Sequence, residues 1–361
     1  MKNNLIIAFI IVIVFSSNII AKNPDSTSNS NNKLFIYPYA FFTPETQFAF
    51  GAGGIYYFRS SKNLKTKPSS IVFSGYYTTN KQYYTDVKPK IYFGNESYYL
   101  NSKFSYSKLA EDFYGIGSTT DKIEDSEYLS QIAQVNIDFR KLLNYNFQIG
   151  ITYDGEYRTI TDTKENPFLK DNSLEGIDGG FVSAIGFTLC NDSRDNLFFP
   201  VEGLFYEITN LYYRDFIGSK YTFTSWKINL RNYISLSENT VFAAQIYGEF
   251  LSGNPPFYKL PRLGGAHIMR GYLKGRFRDK NYYAIQSELR THIWKNFGAV
   301  IFISMGDVSP SFNSFKLVNA KYSYGFGLRY RFDKKEKLDV RVDFGFGKNS
   351  SGVYFGIEQA F

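Results

Sequence analysis

Apolar and polar residues alternate with a period of two along most of the chain after residue 33. In residues 322–332 each even position is aromatic or aliphatic and each odd position is small, polar or charged. The stretches 147–159 and 338–346 also alternate, with the apolar residues at odd positions in the first and at even positions in the second. Successive side chains of a β-strand point to opposite faces, so this period predicts strands with one apolar and one polar face.

About sixteen such segments, each of roughly ten residues, follow one another and predict an all-β fold. A soluble sandwich also alternates, but we expect it to contain more fully buried strands and a less regularly charged polar face. Long strands with one charged face favour a transmembrane antiparallel β-barrel. The segments begin near Leu34, Gln47, Ser70, Lys81, Tyr98, Tyr128, Asn146, Phe181, Leu204, Lys220, Val241, Asn281, Gly298, Lys321, Lys337 and Ser351.

An even number of strands would place both chain ends on the periplasmic side of a membrane. Links after odd-numbered strands would then face outward, and the long link after the eleventh strand is among them. The links after even-numbered strands are mostly short, as at 93–96 and 294–297. Long outer loops and short periplasmic turns are typical of outer-membrane barrels.

Composition and the N-terminal residues also indicate an exported membrane barrel. The 361 residues include 31 Tyr and 36 Phe, which suits the aromatic girdles of such barrels. Residues 1–21 predict a secretory signal peptide, with Lys2, an apolar run and a small-residue cleavage site at Ala21. We expect a flexible lead over 22–33 and the barrel over 34–361. No later segment is apolar for long enough to form a transmembrane helix, so lipid contact would require a closed barrel.

Residues that carry catalytic or cofactor chemistry are scarce. The histidines are His267 and His292, the one cysteine is Cys190, and no His-Glu-x-x-His or Gly-x-Ser-x-Gly motif occurs. We therefore predict no catalytic residues, no cofactor and no metal site, since Asp192 and Asp195 lack further ligands nearby. The net charge of +8 comes from basic residues that alternate with apolar ones, which argues against nucleic-acid binding.

The link between the eleventh and twelfth segments is long and rich in glycine. A loop of this length in a compact domain is usually functional or disordered. Its core is Arg270-Gly271-Tyr272, and the Arg270 guanidinium, if buried, needs a carboxylate partner. Four glycines allow tight backbone paths; they are Gly264, Gly265, Gly271 and Gly275.

This loop resembles the signature loop of the bacterial surface antigen barrels, the BamA/TamA family of outer-membrane assembly factors. In that family the loop folds back into the barrel, and a Gly-Gly pair precedes an Arg-Gly-Tyr tip. The resemblance implies an inward acid on the twelfth strand, which Glu288 matches, and a second acid on the thirteenth strand, where this chain has Ser304. We expect Arg270 and Glu288 to form the loop clamp alone, because Ser304 accepts a hydrogen bond but cannot balance charge. In the alternative, both side chains are solvated and their pairing contributes little.

Two further segments resemble parts of the same family. The turn between the eighth and ninth strands matches the family's periplasmic turn, Asp-x-Arg-Asp…Phe-Pro-x-x-Gly, although each residue alone is ordinary turn chemistry. Its residues are Asp192, Arg194, Asp195, Pro200 and Gly203. The terminal Phe361 follows an alternating strand and resembles the C-terminal signal by which barrels are recognised for membrane insertion.

The resemblance implies a protein of the bacterial outer membrane that contacts lipid and assists the insertion or translocation of client outer-membrane proteins. The family's periplasmic POTRA domains have no counterpart before Leu34, so we expect a separate periplasmic protein as a partner. A second hypothesis is a passive channel or structural barrel without insertase activity, and an enzyme is the third.

Pro38 and Pro44 lie in or beside the first strand, which must meet the last strand to close the barrel. Proline cannot donate to a β-ladder. The two prolines therefore either weaken this seam or lie just outside its paired residues.

Overall fold

The computed structural model describes residues 11–12, 32–43, 47–59, 67–143, 146–163, 165–170 and 174–361. The predicted signal peptide and flexible lead lie almost entirely outside the described residues, and so does Pro44. No helix in these ranges is both long and apolar enough to cross a membrane.

One antiparallel sheet contains seventeen of the described strands. One of them is the two-residue strand Ile11–Val12, and the other strands follow one another along the chain, each paired with the next. They are β1 Lys33–Thr43, β2 Gln47–Phe58, β3 Ser69–Thr78, β4 Tyr83–Phe93, β5 Tyr98–Asp112, β6 Glu127–Leu142, β7 Phe147–Asp162, β8 Gly180–Asp192, β9 Gly203–Tyr213, β10 Phe223–Ser237, β11 Thr240–Gly253, β12 Asn281–Trp294, β13 Phe297–Ser309, β14 Lys321–Asp333, β15 Leu338–Gly347 and β16 Ser350–Ile357.

The predicted all-β barrel and its order of strands are confirmed. The largest offset is at β10, which was predicted from Lys220 and begins at Phe223. There the backbone N–H of Lys220 bonds to the carbonyl of Phe181 on β8 instead of joining the ladder with β11. The local period of two predicts the strands, but it does not predict a tertiary contact that sets where a strand begins.

The two faces of the strands have opposite chemistry. Outward side chains are apolar and exposed, as for Ile151 at 62% and Ile303 at 64%. Inward charged side chains are buried, as for Glu288 and Arg341, each at 1%. Burial of charge is tolerated only with partners, so the interior contains ion-paired networks beside its buried apolar clusters.

The links differ in length between the two ends of the sheet. The longest ones follow odd-numbered strands, at 113–126, 163–179 and 254–280, whereas 238–239 and 295–296 follow even-numbered strands. The links 59–68 and 193–202 are longer than the other links at their end. We call the end that carries the long links the outer mouth and the opposite end the inner mouth.

Side chains connect β1 and β2 with the end of β14 at the inner mouth, across the seam between the first and last strands. In the ladders, β16 pairs with β15, and β1 pairs with β2 and, at Tyr39 and Ala40, with Ile11–Val12. Across the seam, Lys33 forms an ion pair with Asp333 at 2.8 Å, and Tyr57 donates to the same carboxylate.

Pro38 lies within β1, opposite Ala52 of β2. The interpretation that both prolines lie outside the paired residues is therefore wrong for Pro38. Because Pro38 has no N–H to donate, it removes one backbone donor from the strand at the seam.

Candidate functional site: the lumen loop and its clamp

The link 254–280, which we call the lumen loop, folds back into the barrel. A short hairpin pairs Arg262–Leu263 with Phe277–Arg278 and narrows the loop at its base. At the tip, Gly271 has a φ of +109°, and an added Cβ would lie 2.6 Å from the Phe346 backbone on β15. Only glycine fits such a conformation and approach without strain.

Arg270 at the loop tip is fully buried between three strands. Its guanidinium forms an ion pair with Glu288 of β12, and Nη1 lies 2.6 Å from Oδ2 of Asp343 on β15. The guanidinium carbon also lies 3.6 Å from the ring centre of Phe302 on β13. Burial alone would lower the pKa of Arg270, but the carboxylates of Glu288 and Asp343 raise it. Arg270 therefore stays charged.

The expectation that Arg270 and Glu288 pair alone is wrong, because Asp343 supplies a second carboxylate. Ser304 does not take part, since its buried hydroxyl has no hydrogen-bond partner among the described residues. The signal for Asp343 was present in the alternation of residues 338–346, which puts Asp343 on the polar parity. Sequence reasoning looked for the acid on the thirteenth strand, whereas it comes from the fifteenth.

The clamp is part of a larger arginine network. Arg290 pairs with Glu288 at 2.8 Å, and Arg329 and Arg341 each pair with Asp343 at 2.6 Å. Two carboxylates thus hold four guanidiniums. Each guanidinium keeps one nitrogen without a hydrogen-bond partner in the described structure; these are Arg270 Nε, Arg290 Nη1, Arg329 Nη2 and Arg341 Nε.

Tyr272 anchors the loop tip to the last three strands. Its hydroxyl donates to the carbonyl of Tyr322 on β14 at 3.2 Å and accepts from the backbone N–H of Lys348 at 3.0 Å. The N–H of Gly271 donates to the hydroxyl of Tyr354 on β16 at 2.8 Å. The predicted Arg-Gly-Tyr core therefore acts as one docked unit.

The last residues of the chain turn into the lumen rather than continuing β16. Gln359 bonds to Arg329 and to Asp339. The Phe361 carbonyl oxygen accepts a hydrogen bond from Arg290 at 2.9 Å, and Phe361 is 5% exposed. The Ala360 carbonyl accepts from His267 of the lumen loop. The role of Phe361 as an insertion signal stays a prediction.

The turn predicted from its family-like residues is a folded segment, 193–202, which we call the strap. Asp192 forms a two-point ion pair with Arg194, and Asp195 Oδ1 accepts from the N–H groups of Val201 and Glu202. Gly203, with a φ of +99°, begins β9, and Pro200 is buried beside it.

The strap reaches the seam side of the inner mouth. Phe198, at 4% exposed, packs with Ile55 and Tyr57 of β2 and with Leu338 of β15. Lys337 lies 3.6 Å from Asp195, and Arg331 lies over the Phe199 ring. Sequence reasoning missed Phe198, although an adjacent Phe pair in a polar turn was a signal.

Metal-binding chemistry is not apparent in this region. No three His, Cys, Asp or Glu residues lie together as ligands in the part of the chain that the structure describes. The carboxylates of Asp192 and Asp195 accept hydrogen bonds within the strap and its flank, so both have a structural explanation.

Comparison with known proteins agrees with this architecture. Residues 50–361 match the Omp85 superfamily domain. BamA from Haemophilus ducreyi lacking POTRA domains 1–3 superposes with a TM-score of 0.58 at 13% identity, covering 97% of this chain and 74% of that one. CdiB from Acinetobacter baumannii gives a TM-score of 0.58 at 11% identity, covering 97% of this chain and 65% of that one. No curated protein sequence matches.

Proposed function

The chain belongs to the Omp85 superfamily, and from this premise we propose that it assists the insertion or translocation of other proteins at the bacterial outer membrane. Its clients would be outer-membrane proteins, and its apolar outer face would contact lipid. A separate periplasmic protein would deliver those clients to the inner mouth.

Two observations carry this proposal: the lumen is occupied, and Pro38 removes one backbone donor from the first strand, which lies at the seam. The lumen loop is held by a fully buried Arg270, and the chain end occupies the lumen beside Arg290. The ladders join β16 to β15 and β1 to β2, and at the inner mouth Lys33 and Tyr57 reach across the seam to Asp333 of β14. A client protein would therefore enter through the seam in the barrel wall rather than through the lumen.

Strand pairing gives the wall a means to bind a client. Among the described residues, the outer edge of β1 pairs with Ile11–Val12, and cleavage after Ala21 would remove that partner. An unpaired edge presents a row of N–H and C=O groups that template a further strand. A nascent β-strand of a client would add to β1 in this way.

The second candidate, a passive channel, needs the loop and the chain end to leave the lumen. Breaking a buried ion pair costs about 3–5 kcal/mol, and Arg270 makes two such pairs. A spontaneously open state would therefore be rare, which favours the assembly function.

Depletion of the protein tests the proposal. We expect other outer-membrane barrels to decline in the outer-membrane proteome, and re-expression of the chain to restore them. A change in small-solute uptake with an unchanged proteome would instead support the passive channel.

A further inference from the structure

A cavity of about 530 Å³ lies between the loops of the outer mouth, away from the Arg270 clamp. Three links form it, those after β5, β7 and β11. Its apolar wall includes Phe113, Phe168, Phe257 and Leu260. The volume falls in the range of small-molecule sites, which are mostly apolar with a few polar groups that orient the ligand.

The aromatic side chains of this wall pack against one another. Phe257 is 1% exposed and its ring centre lies 4.8 Å from that of Phe113. Phe168 stands edge-on to Phe113 at 5.9 Å and is 38% exposed, and Ile116 on the same wall is 45% exposed. Large apolar groups exposed at the mouth of a cavity outside the membrane band suit a ligand with an apolar body.

Asp279 is a buried acidic residue on the wall of this cavity. It lines the cavity and is 4% exposed, and one carboxylate oxygen accepts from the backbone N–H of Lys280 at 2.8 Å. The Lys280 ammonium donates elsewhere, to the carbonyl of Gly253 at 2.9 Å. No lysine or arginine forms an ion pair with Asp279 among the described residues, unlike the other buried acids of the lumen.

We propose that this cavity binds a small organic amine, a primary or quaternary ammonium on an aromatic or aliphatic body, whose cation pairs with Asp279. A buried carboxylate without a cation is costly, and an ammonium ligand would supply the missing charge. The guanidinium of Arg278 already lies over the Phe113 ring. The partly exposed ring of Phe168 would add cation–π attraction, since its face carries negative potential. Glu175, also on the cavity wall, adds to the negative field at the entrance.

The chosen probes are 2-phenylethylammonium and its neutral isostere 2-phenylethanol, titrated calorimetrically into the full chain in detergent micelles. We expect the amine to bind at least about tenfold more tightly than the alcohol, because only the amine pairs with Asp279. Asp279→Asn should remove this preference and leave binding of the alcohol unchanged. The matched control is Asp178→Asn, an exposed acid of the link 163–179 with a side chain 82% accessible, and it should behave as the unaltered chain.

A pH series on the unaltered chain provides a second measurement, which does not depend on the correct folding of any variant. Burial raises the pKa of Asp279, while Lys280 opposes and Asp307 supports that shift. Amine affinity should fall as pH drops through this raised pKa, whereas alcohol affinity should stay constant. Glu175→Gln separates the contribution of the other acid on the cavity wall. Equal affinity for amine and alcohol, no binding of either, or an unaltered preference in Asp279→Asn would each overturn the proposal.

Discussion

Arg270 is effective because its two carboxylate partners come from different parts of the wall. Glu288 lies on β12 and Asp343 on β15, so one side chain of the lumen loop ties two strands that are not neighbours. A guanidinium presents several N–H donors in a fixed plane and serves both acids at once, which a lysine ammonium does less well. The stacking of Arg270 on Phe302 excludes water from the third side.

Substitution of Arg270 tests the clamp. Arg270→Ala removes both ion pairs of the loop tip, while Glu288 keeps Arg290 and Asp343 keeps two other arginines. We therefore expect the free energy of unfolding to fall by no more than about 3–5 kcal/mol. Asp343→Asn should cost more than Glu288→Gln, because Asp343 pairs with three guanidiniums and Glu288 with two. Double-mutant cycles with each acid would measure the two couplings separately.

The control for this series is Lys170→Ala, which breaks an exposed pair with Glu165. Exposed pairs contribute about 0–1 kcal/mol, so this change should be nearly silent. Couplings of Arg270 with both acids no larger than that would show that the lumen loop is not clamped there.

Gly271 allows a second test at the loop tip. Gly271→Ala would place a Cβ against the Phe346 backbone at a φ of +109°, which forces the tip away from β15. We expect faster proteolytic cleavage within 254–280. Gly75→Ala is the control, since its nearest atom would lie at 3.5 Å and its backbone is unstrained. Equal cleavage rates in both variants would contradict the docking of the tip.

At the scale of elements, the strands could be predicted from sequence because period two is a local property of each strand. The inward direction of the Glu288 side chain could be predicted, because alternate residues of β12 point to opposite faces of the wall. Asp343, Phe198 and the inward chain end could not be paired in advance, because their partners depend on how the barrel curves and which links cross its mouths. A family pattern even directed attention to Ser304, whose hydroxyl has no hydrogen-bond partner in the described part of the chain.

The strap can be tested as an element. Phe198→Ala removes a buried ring between β2 and β15, and a buried Phe→Ala change costs about 3–5 kcal/mol. The backbone N–H groups of Phe198 and Phe199, which donate to Asn196, should then exchange with solvent faster. Phe216→Ala is the matched control, because Phe216 is 76% exposed at the other mouth. Unchanged exchange in Phe198→Ala would mean that the strap holds without its anchor.

At the scale of the whole molecule, the wall and the lumen are linked through the last strand. Tyr354 of β16 accepts a hydrogen bond from the loop tip, and Phe361 beyond β16 bonds to Arg290, which pairs with Glu288. The seam strand and the loop clamp therefore share one network. Movement of β16 away from β1 would disturb both.

A reversible lock across the seam tests whether the wall is the route for clients. Lys33 of β1 and Asp333 of β14 lie in contact across it at 2.8 Å, so Lys33→Cys with Asp333→Cys can be joined by a short bis(methanethiosulfonate), which forms a reducible disulfide with each thiol and releases methanesulfinate. The background carries Cys190→Ser, which removes the free thiol. We expect the joined protein to stop accumulation of other outer-membrane barrels, and reductive cleavage of the linker to restore it.

The control joins two neighbouring strands that are paired within the wall. Thr240 of β11 lies opposite Thr291 of β12, with their hydroxyl oxygens 3.3 Å apart, so Thr240→Cys with Thr291→Cys carries the same linker without bridging the seam. This variant should sustain barrel accumulation whether or not it is joined. If the seam-locked protein performed equally well, opening between β1 and β16 would not be needed. Clients would then have to pass through the lumen, and that requires release of Arg270 from both of its acids.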